Sequence, residues 1–173
     1  MTIRRFVQRN GDGWHDVEPE GYVPGSTTAV TRHTLVGARK EAADELGSTN
    51  ELRYFSLPPG QVSRLEKHEH EHWVIVGEGV GRAIVGTECR EVRTHDVVYV
   101  GPMEPHQFVN AGDATFGFFC MVPAERDFPQ LLGEDEIATL RASEAGAWIK
   151  PEGQPPPRKR ERAARRARRI SAG

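Results

Sequence analysis

The amino-acid sequence predicts an all-β domain, either a sandwich or a barrel, followed by a short helix and a basic tail. Between residues 53 and 122, short apolar runs alternate with turn residues at regular intervals, which is typical of antiparallel sandwiches and barrels. The sequence contains no internal repeat, and this favours one barrel over two. A length of 173 residues suits one domain with extensions.

The N-terminal part of the chain is predicted to be an arm followed by the first strand. Residues 1–28 are rich in glycine, proline and short polar side chains, which predicts an arm with loose structure. Residues 29–36 alternate apolar and polar side chains and predict a strand. Residues 37–50 are a charged segment whose composition is compatible with a helical loop.

The barrel itself is predicted over residues 29–125. Apolar or alternating runs predict its remaining strands at residues 53–57, 73–76, 82–85, 89–92, 97–100, 107–110 and 115–122. Gly86-Thr87-Glu88 separates two of these runs and is a hairpin signal. Pro58-Pro59-Gly60 stops the strand before it.

Beyond the barrel, residues 126–149 are predicted to be a helical extension. Residues 133–142 have acidic side chains in their first turn and an arginine near their end, the charge order that stabilises a helix dipole. Ile137 and Leu140 lie on one face of that helix, so the helix can pack against the barrel.

The last segment, residues 150–173, is a proline- and arginine-rich tail that is predicted to be disordered on its own. It carries nine Lys or Arg against two Glu, a net charge of +7, which leaves residues 1–149 at −9. Such a tail can bind polyanions electrostatically, or it can simply keep the protein soluble. Both interpretations stay open at this point.

Composition also bounds the location of the protein. No segment approaches the roughly 20 apolar residues of a membrane span, and the N-terminus lacks the apolar core of a secretory signal. Cys89 and Cys120 show no CxxC spacing, so neither a disulfide framework nor a zinc knuckle is indicated. We expect a cytoplasmic protein in which both thiols are buried small residues on strands.

The segment EKHEHEHW, residues 66–73, places ionisable side chains at every second position, directly before an apolar strand. Side chains two apart on a strand point to one face, so Glu66 and His68 can enter one barrel mouth together. His72 follows from the start of the next strand, and His106 lies far away in sequence. A barrel brings such residues together because its inward faces converge.

These residues resemble the two motifs of the cupin family. Gly60, Glu66, His68, His72 and Gly79 follow the spacing of the first cupin motif. Residues 96–110 resemble the second motif, which ends in H-x3-N at His106 and Asn110, and residues 79–81 fall where cupins place a GxG hairpin. The resemblance covers residues 50–122 and implies a cupin double-stranded β-helix, also called a jelly-roll barrel.

The resemblance implies a mononuclear metal site formed by Glu66, His68, His72 and His106. The carboxylate and one imidazole have exchanged places relative to the usual motif, but three imidazoles and one carboxylate still suit Fe(II), Mn(II), Ni(II) or Zn(II). His70 falls in the turn, where it is a solvated turn residue, a group behind the ligands, a substrate contact or an acid–base residue; with a shifted register it is a ligand in place of His72 or Glu66. Tyr99 and Glu104 lie near His106 in sequence and are candidates for proton transfer.

Family resemblance gives a site and leaves the reaction open, because cupins share a fold far more than a chemistry. We expect a metal-dependent enzyme that acts on a small polar molecule by oxygenation, isomerisation, elimination or decarboxylation. The alternative is a non-catalytic module that binds a metal or small molecule as a sensor or storage protein. The resemblance also implies a homodimer, to which residues 1–50 could contribute an exchanged arm.

Overall fold

A computed structural model describes residues 6–8, 12–14, 17–22, 29–38 and 48–150. Residues 39–47 of the predicted helical loop and residues 151–173 of the basic tail lie outside the described residues. The described residues form thirteen strands: β1 Phe6–Gln8, β2 Asp12–Trp14, β3 Glu20–Gly21, β4 Thr31–Val36, β5 Asn50–Leu57, β6 Glu66–Lys67, β7 His72–Glu78, β8 Val80–Val85, β9 Glu88–Arg93, β10 Val97–Val100, β11 His106–Val109, β12 Phe116–Pro123 and β13 Gln130–Leu131.

Two antiparallel sheets face each other and form the predicted jelly-roll barrel. The larger sheet has six strands in the order β10-β7-β12-β5-β4-β3, and the smaller has five in the order β13-β6-β11-β8-β9. Strands β1 and β2 form a separate hairpin. The all-β prediction is therefore confirmed, together with the eight strands that the sequence patterns located.

Some strands extend beyond the apolar run that predicted them, because hydrogen bonding to a neighbouring strand continues past that run. Strand β5 begins at Asn50 and pairs along its whole length with β12, although its first residues are polar. The two-residue strands β6 and β13 were not predicted, since two residues are too few to show a periodicity.

Alternation along the strands separates the interior from the surface. On β7, Val74 and Val76 are fully buried, whereas Trp73 and Ile75, which alternate with them, are about half exposed, at 47% and 48%. This is the period-2 pattern of a sheet with one solvated face. The resulting core consists of Val30, Phe55, Leu57, Val74, Val76, Ala83, Val92, Phe108, Phe116, Phe118, Cys120 and Val122.

The predicted C-terminal helix is present as α1, Glu134–Arg141, and a 3-10 helix follows at Glu144–Ala147. The backbone N–H of Gly133 donates to the Glu136 carboxylate at 3.0 Å, which caps the helix start. Leu140 is buried in a second apolar cluster that includes Ile84 and Val109. The extension thus covers the smaller sheet on the side opposite to the main core.

The described parts of the N-terminal arm also contact the barrel. Trp14 packs edge-to-face on Tyr54 and Phe119, with ring centroids 5.9 and 5.8 Å apart. Tyr22 packs on Phe55 from the inner side. Within the part of the chain that the structure describes, no helix is long and apolar enough to cross a membrane.

Candidate functional site

Three histidines from different segments meet at one end of the barrel interior. His72 begins β7, His106 begins β11, and His68 follows the short strand β6. Their candidate ligand nitrogens all lie within 4.8 Å of one another. The sequence therefore identified three residues that the fold does bring together, although more than thirty positions separate His106 from His68 and His72.

Burial and backbone hydrogen bonds hold these imidazoles in place. His68 is 1% exposed and His106 is 3% exposed. Nδ1 of His68 lies 2.6 Å from the carbonyl oxygen of His70, and Nδ1 of His106 lies 2.9 Å from that of Glu104. An N–H at Nδ1 donates to each carbonyl, which leaves the Nε2 lone pair available as a ligand.

The three histidines are neutral at physiological pH. Burial, together with a smaller contribution from the nearby His106, lowers the pKa of His68 to about 3. Burial also lowers the pKa of His106 to about 4 and holds that of His72 well below its usual value. Neutral imidazoles are the form that binds metal, since ligation and protonation compete for the same lone pair.

These residues fit a divalent metal ion. Nε2 of His68 is buried and has no hydrogen-bond partner among the described residues, and a buried polar atom without a partner costs free energy. Imidazole nitrogens suit Zn, Fe, Ni and Cu. A cation at the cluster would satisfy that atom, so the family-type metal site is compatible with the donor set found here.

Glu66 stands beside the cluster without joining it. It is buried and lies opposite His106 in the pairing of β6 with β11. Its Oε2 forms an ion pair with Nε of Arg64 at 3.3 Å. The cluster of mutually close ligand atoms contains three histidines and no carboxylate, so Glu66 as a fourth ligand stays a prediction.

His70 lies behind the cluster and is held by a carboxylate. Its ring stacks on His68 with centroids 3.6 Å apart, and its Nδ1 lies 2.6 Å from Oδ1 of Asp127. Burial lowers the pKa of His70, while Asp127 opposes this effect. The side chain of His70 is only 6% exposed, so it packs against His68 and is not a solvated turn side chain. Asp127 is a partner that no sequence pattern indicated.

Tyr99 and Glu104 are not brought to the histidines as side chains. Tyr99 is 47% exposed on the outer face of the larger sheet, next to Trp73, and its hydroxyl donates to Glu71. The carboxylate of Glu104 accepts from the backbone N–H of Gly101 at 2.8 Å. Glu104 contacts the site through its backbone carbonyl oxygen, which lies 2.9 Å from Nδ1 of His106. A role for either side chain in proton transfer stays a prediction.

Two adjoining compartments open from the cluster into the barrel. The outer one encloses about 570 Å³, including space open to solvent, and four of its ten lining residues are arginines: Arg32, Arg53, Arg64 and Arg126. The inner one encloses about 300 Å³ and includes Phe108, Phe118, Cys120 and His106 in its wall. Both compartments are lined by Tyr22, Phe55, Arg64, Glu66 and His72.

Cys120 is a buried thiol in the wall of the inner compartment, a position that the sequence did not reveal. The expectation that it is a buried residue on a strand is correct, since it is 2% exposed on the inner face of β12. Its location in one cavity wall with His72 and His106 gives it a chemical context as well. Nη2 of Arg53 donates to its sulfur at 3.2 Å. Burial raises the pKa of the thiol, and the guanidinium of Arg53 opposes that rise.

Comparison with known proteins supports the cupin fold and finds a relative of known activity. The sequence profile of the family described as "Cupin domain" matches residues 53–122. The chain is 46% identical over 119 residues to the 1-methylthio-D-xylulose 5-phosphate methylsulfurylase of Rhodospirillum rubrum, an alignment that covers 69% of this chain and 72% of that protein.

Solved structures give the same answer at the level of the fold. A cupin-2 domain protein from Rhodospirillum rubrum is 39% identical, with a TM-score of 0.69, and the match covers 83% of this chain and 93% of that one. A cupin 2 conserved barrel domain protein from Rhodopseudomonas palustris is 32% identical, with a TM-score of 0.71 and coverage of 86% and 99%.

Proposed function

The chain belongs to the cupin family, and we propose that it is a metal-dependent cupin enzyme that removes the methylthio group from 1-methylthio-D-xylulose 5-phosphate. The observation that carries this proposal is the position of Cys120, a thiol in the wall of the same compartment as His72 and His106. The relative with 46% identity is named for this substrate and for sulfur chemistry.

The substrate's own chemistry defines what the site must do. Its sulfur is attached to C1, next to the C2 ketone, so cleavage of the C1–S bond can leave the electron pair on an enolate. The thiolate of Cys120 attacks the substrate sulfur, a methyl disulfide forms on Cys120, and C1 takes up a proton to become a methyl group. The thiolate of a second thiol, supplied from solution, then attacks the methylthio sulfur, which forms a methyl disulfide with that second thiol and releases Cys120 as a thiolate.

Each part of the site has a role in this step. When bound at His68, His72 and His106, a divalent metal supplies a Lewis acid for negative charge on the substrate's carbonyl oxygen. Arg53 stabilises the thiolate through its N–H···S hydrogen bond. Phe108 and Phe118 exclude water from the inner compartment, which protects both the enolate and the disulfide.

The direct test is to look for the methyl disulfide. We would mix the purified protein with the substrate in the absence of reducing thiol and measure the intact mass and peptide masses. We expect the thiol hydrogen of Cys120 to be replaced by a methylthio group, together with one equivalent of 1-deoxy-D-xylulose 5-phosphate. Cys120→Ser should abolish both products. Cys89→Ser is the matched control, because Cys89 is half-buried on β9, not buried as expected, and packs against the second apolar cluster.

An unmodified wild-type protein, or modification that persists in Cys120→Ser, would overturn this assignment. Binding of the substrate without turnover would support the alternative, a non-catalytic binding module.

The metal is tested separately by inductively coupled plasma mass spectrometry on untagged protein. We expect near-stoichiometric Fe, Mn, Ni or Zn in the wild type and its loss in His68→Ala, His72→Ala and His106→Ala. His70→Ala should retain it, and Glu66→Gln tests whether the carboxylate is a fourth ligand. Absence of metal after reconstitution with each ion would exclude the metal-dependent mechanism. The homodimer and polyanion binding by the tail stay predictions.

A further inference from the structure

The outer compartment holds more positive charge than its own ion pairs neutralise. Arg64 pairs with Glu66, Arg126 with Glu51, and Arg32 with Glu20. Arg53 is different. It is 9% exposed and forms no ion pair with a described carboxylate, and its hydrogen bond runs to the sulfur of Cys120.

Two arginine N–H groups in this compartment have no hydrogen-bond partner among the described residues. They are Nε of Arg53 and Nε of Arg32, and both atoms are buried. A buried donor without an acceptor costs free energy, so an acceptor is expected to occupy the compartment when the protein works. The acceptor should be anionic, because guanidinium groups bind anions through two parallel N–H···O bonds.

From this geometry we infer that the arginine-lined outer compartment binds the phosphate of a sugar phosphate, with Arg53 and Arg32 as its principal donors. This assignment deepens the proposed function and rests on it for the identity of the sugar. A phosphate monoester presents several acceptor oxygens and close to two negative charges at neutral pH. It can therefore engage two arginines at once, which a single carboxylate does less well.

The arrangement of the two compartments fits a molecule with phosphate at one end and sulfur at the other. They share His72 and Arg64 in their walls, so a chain-like ligand can extend from one compartment into the other past the metal-binding residues. In a 1-methylthio-ketose 5-phosphate, the sulfur and the phosphate are on opposite ends of a five-carbon chain. Phosphate in the outer compartment would place the methylthio group toward Cys120.

Equilibrium binding tests this inference without any sulfur chemistry. We would titrate the full-length protein by calorimetry with D-xylulose 5-phosphate, with D-xylulose, and with an analogue that carries a carboxylate in place of the phosphate. We expect the wild type to bind the phosphate at least about tenfold more tightly than the other two. Equal affinity for the phosphate and the free sugar would overturn the inference, and equal affinity for the carboxylate would reduce it to a general anion site.

Variants locate the phosphate. Arg53→Lys keeps the charge but loses the planar pair of donors, and we expect it to weaken binding of the sugar phosphate at least about tenfold without affecting the free sugar. Arg32→Gln should act in the same direction. Arg90→Gln is the matched control, because Arg90 is an exposed arginine on β9. Loss of affinity for both ligands alike, or for neither, would contradict the assignment.

The two proposals fail in different ways. Phosphate-dependent binding without a methyl disulfide on Cys120 would refute the proposed reaction and leave the phosphate site standing. A methyl disulfide that forms equally well from the unphosphorylated 1-methylthio-ketose would refute the phosphate site and leave the reaction standing.

Discussion

Strand β5 carries Glu51 and Arg53 on one half of its inner face and Phe55 and Leu57 on the other half. The same division separates His72 from Val76 on β7 and His106 from Phe108 on β11. The barrel interior therefore has a polar end, where the histidines and arginines meet, and an apolar end filled by aliphatic and aromatic side chains.

The two ends differ in what they contribute to the stability of the fold. Burial of apolar side chains at the apolar end supplies the main driving force for folding. At the polar end, every buried charge has lost its hydration and is tolerated because a partner or a ligand compensates it. Arg126 and Glu51, each with a side chain only 5% exposed, are one such pair. Because such pairs repay little more than the lost hydration, this end is expected to contribute little net stability.

The largest effect on stability is therefore expected at the apolar end. Phe116 is fully buried there, and Phe116→Ala should lower the free energy of unfolding by about 3–5 kcal/mol, as measured by urea denaturation. Met121→Ala on the same strand is the control, because Met121 faces outward and is 40% exposed. Similar losses for the two variants would show that the interior is not packed as described.

A smaller effect is expected at a glycine on the rim of that end. Gly79 has φ +72°, and a Cβ there would lie 2.1 Å from the carbonyl oxygen of Thr115. Gly79→Ala should cost about 2–4 kcal/mol from the strained φ and this clash together. Gly60 has φ +75° with nothing within 4 Å of a Cβ, so Gly60→Ala should cost about 1–2 kcal/mol. Equal losses of stability in the two variants would mean that the strained φ accounts for the whole effect and the clash with Thr115 for none of it.

At the polar end, the expected signature is pH dependence of the metal-free protein. The folded-state pKa values of His68 and His106, about 3 and about 4, lie below the unfolded value of about 6.5. As the pH falls, the unfolded chain takes up protons first, so the free energy of unfolding should fall from about pH 6.5 down to about pH 3–4, by roughly 1.4 kcal/mol per histidine for each pH unit in that range.

Urea midpoints of the chelator-treated protein at about pH 7.5 and about pH 5 measure this effect. His68→Gln should reduce the difference between the two midpoints, because it removes one of the titrating groups. A midpoint that does not fall on acidification, or a difference unchanged in His68→Gln, would contradict the burial of neutral imidazoles at this end.

The smallest effect is expected outside both ends, at Tyr99. Its side chain lies on the outer face of the larger sheet and its hydroxyl donates to Glu71. Tyr99→Phe should change kcat/KM by less than about twofold, measured as formation of the methyl ketone product beside the inactive Cys120→Ser. A tenfold or larger loss would restore Tyr99 to the catalytic role that its sequence neighbourhood suggested.

Much of the fold was visible in the sequence because it depends on local patterns. Alternation on β7 and β12 gives their buried faces, and Gly60 and Gly79 stand where the chain needs a positive φ. The helix α1 follows from its acidic first turn. The histidines were found because their two-residue spacing and motif match are features of contiguous segments.

What the sequence by itself determined is the barrel, its helix and three of the histidines at its mouth, since each is encoded within a short stretch of chain. The tertiary structure alone decided that Asp127 holds His70 and that Glu66 pairs with Arg64. It alone also placed Arg53 on β5 in contact with Cys120 on β12, two residues that are 67 positions apart in sequence. The spacing of residues along a strand determines which face of the sheet a side chain occupies. The packing of the two sheets determines which of these faces contact each other, and no local sequence pattern predicts that packing.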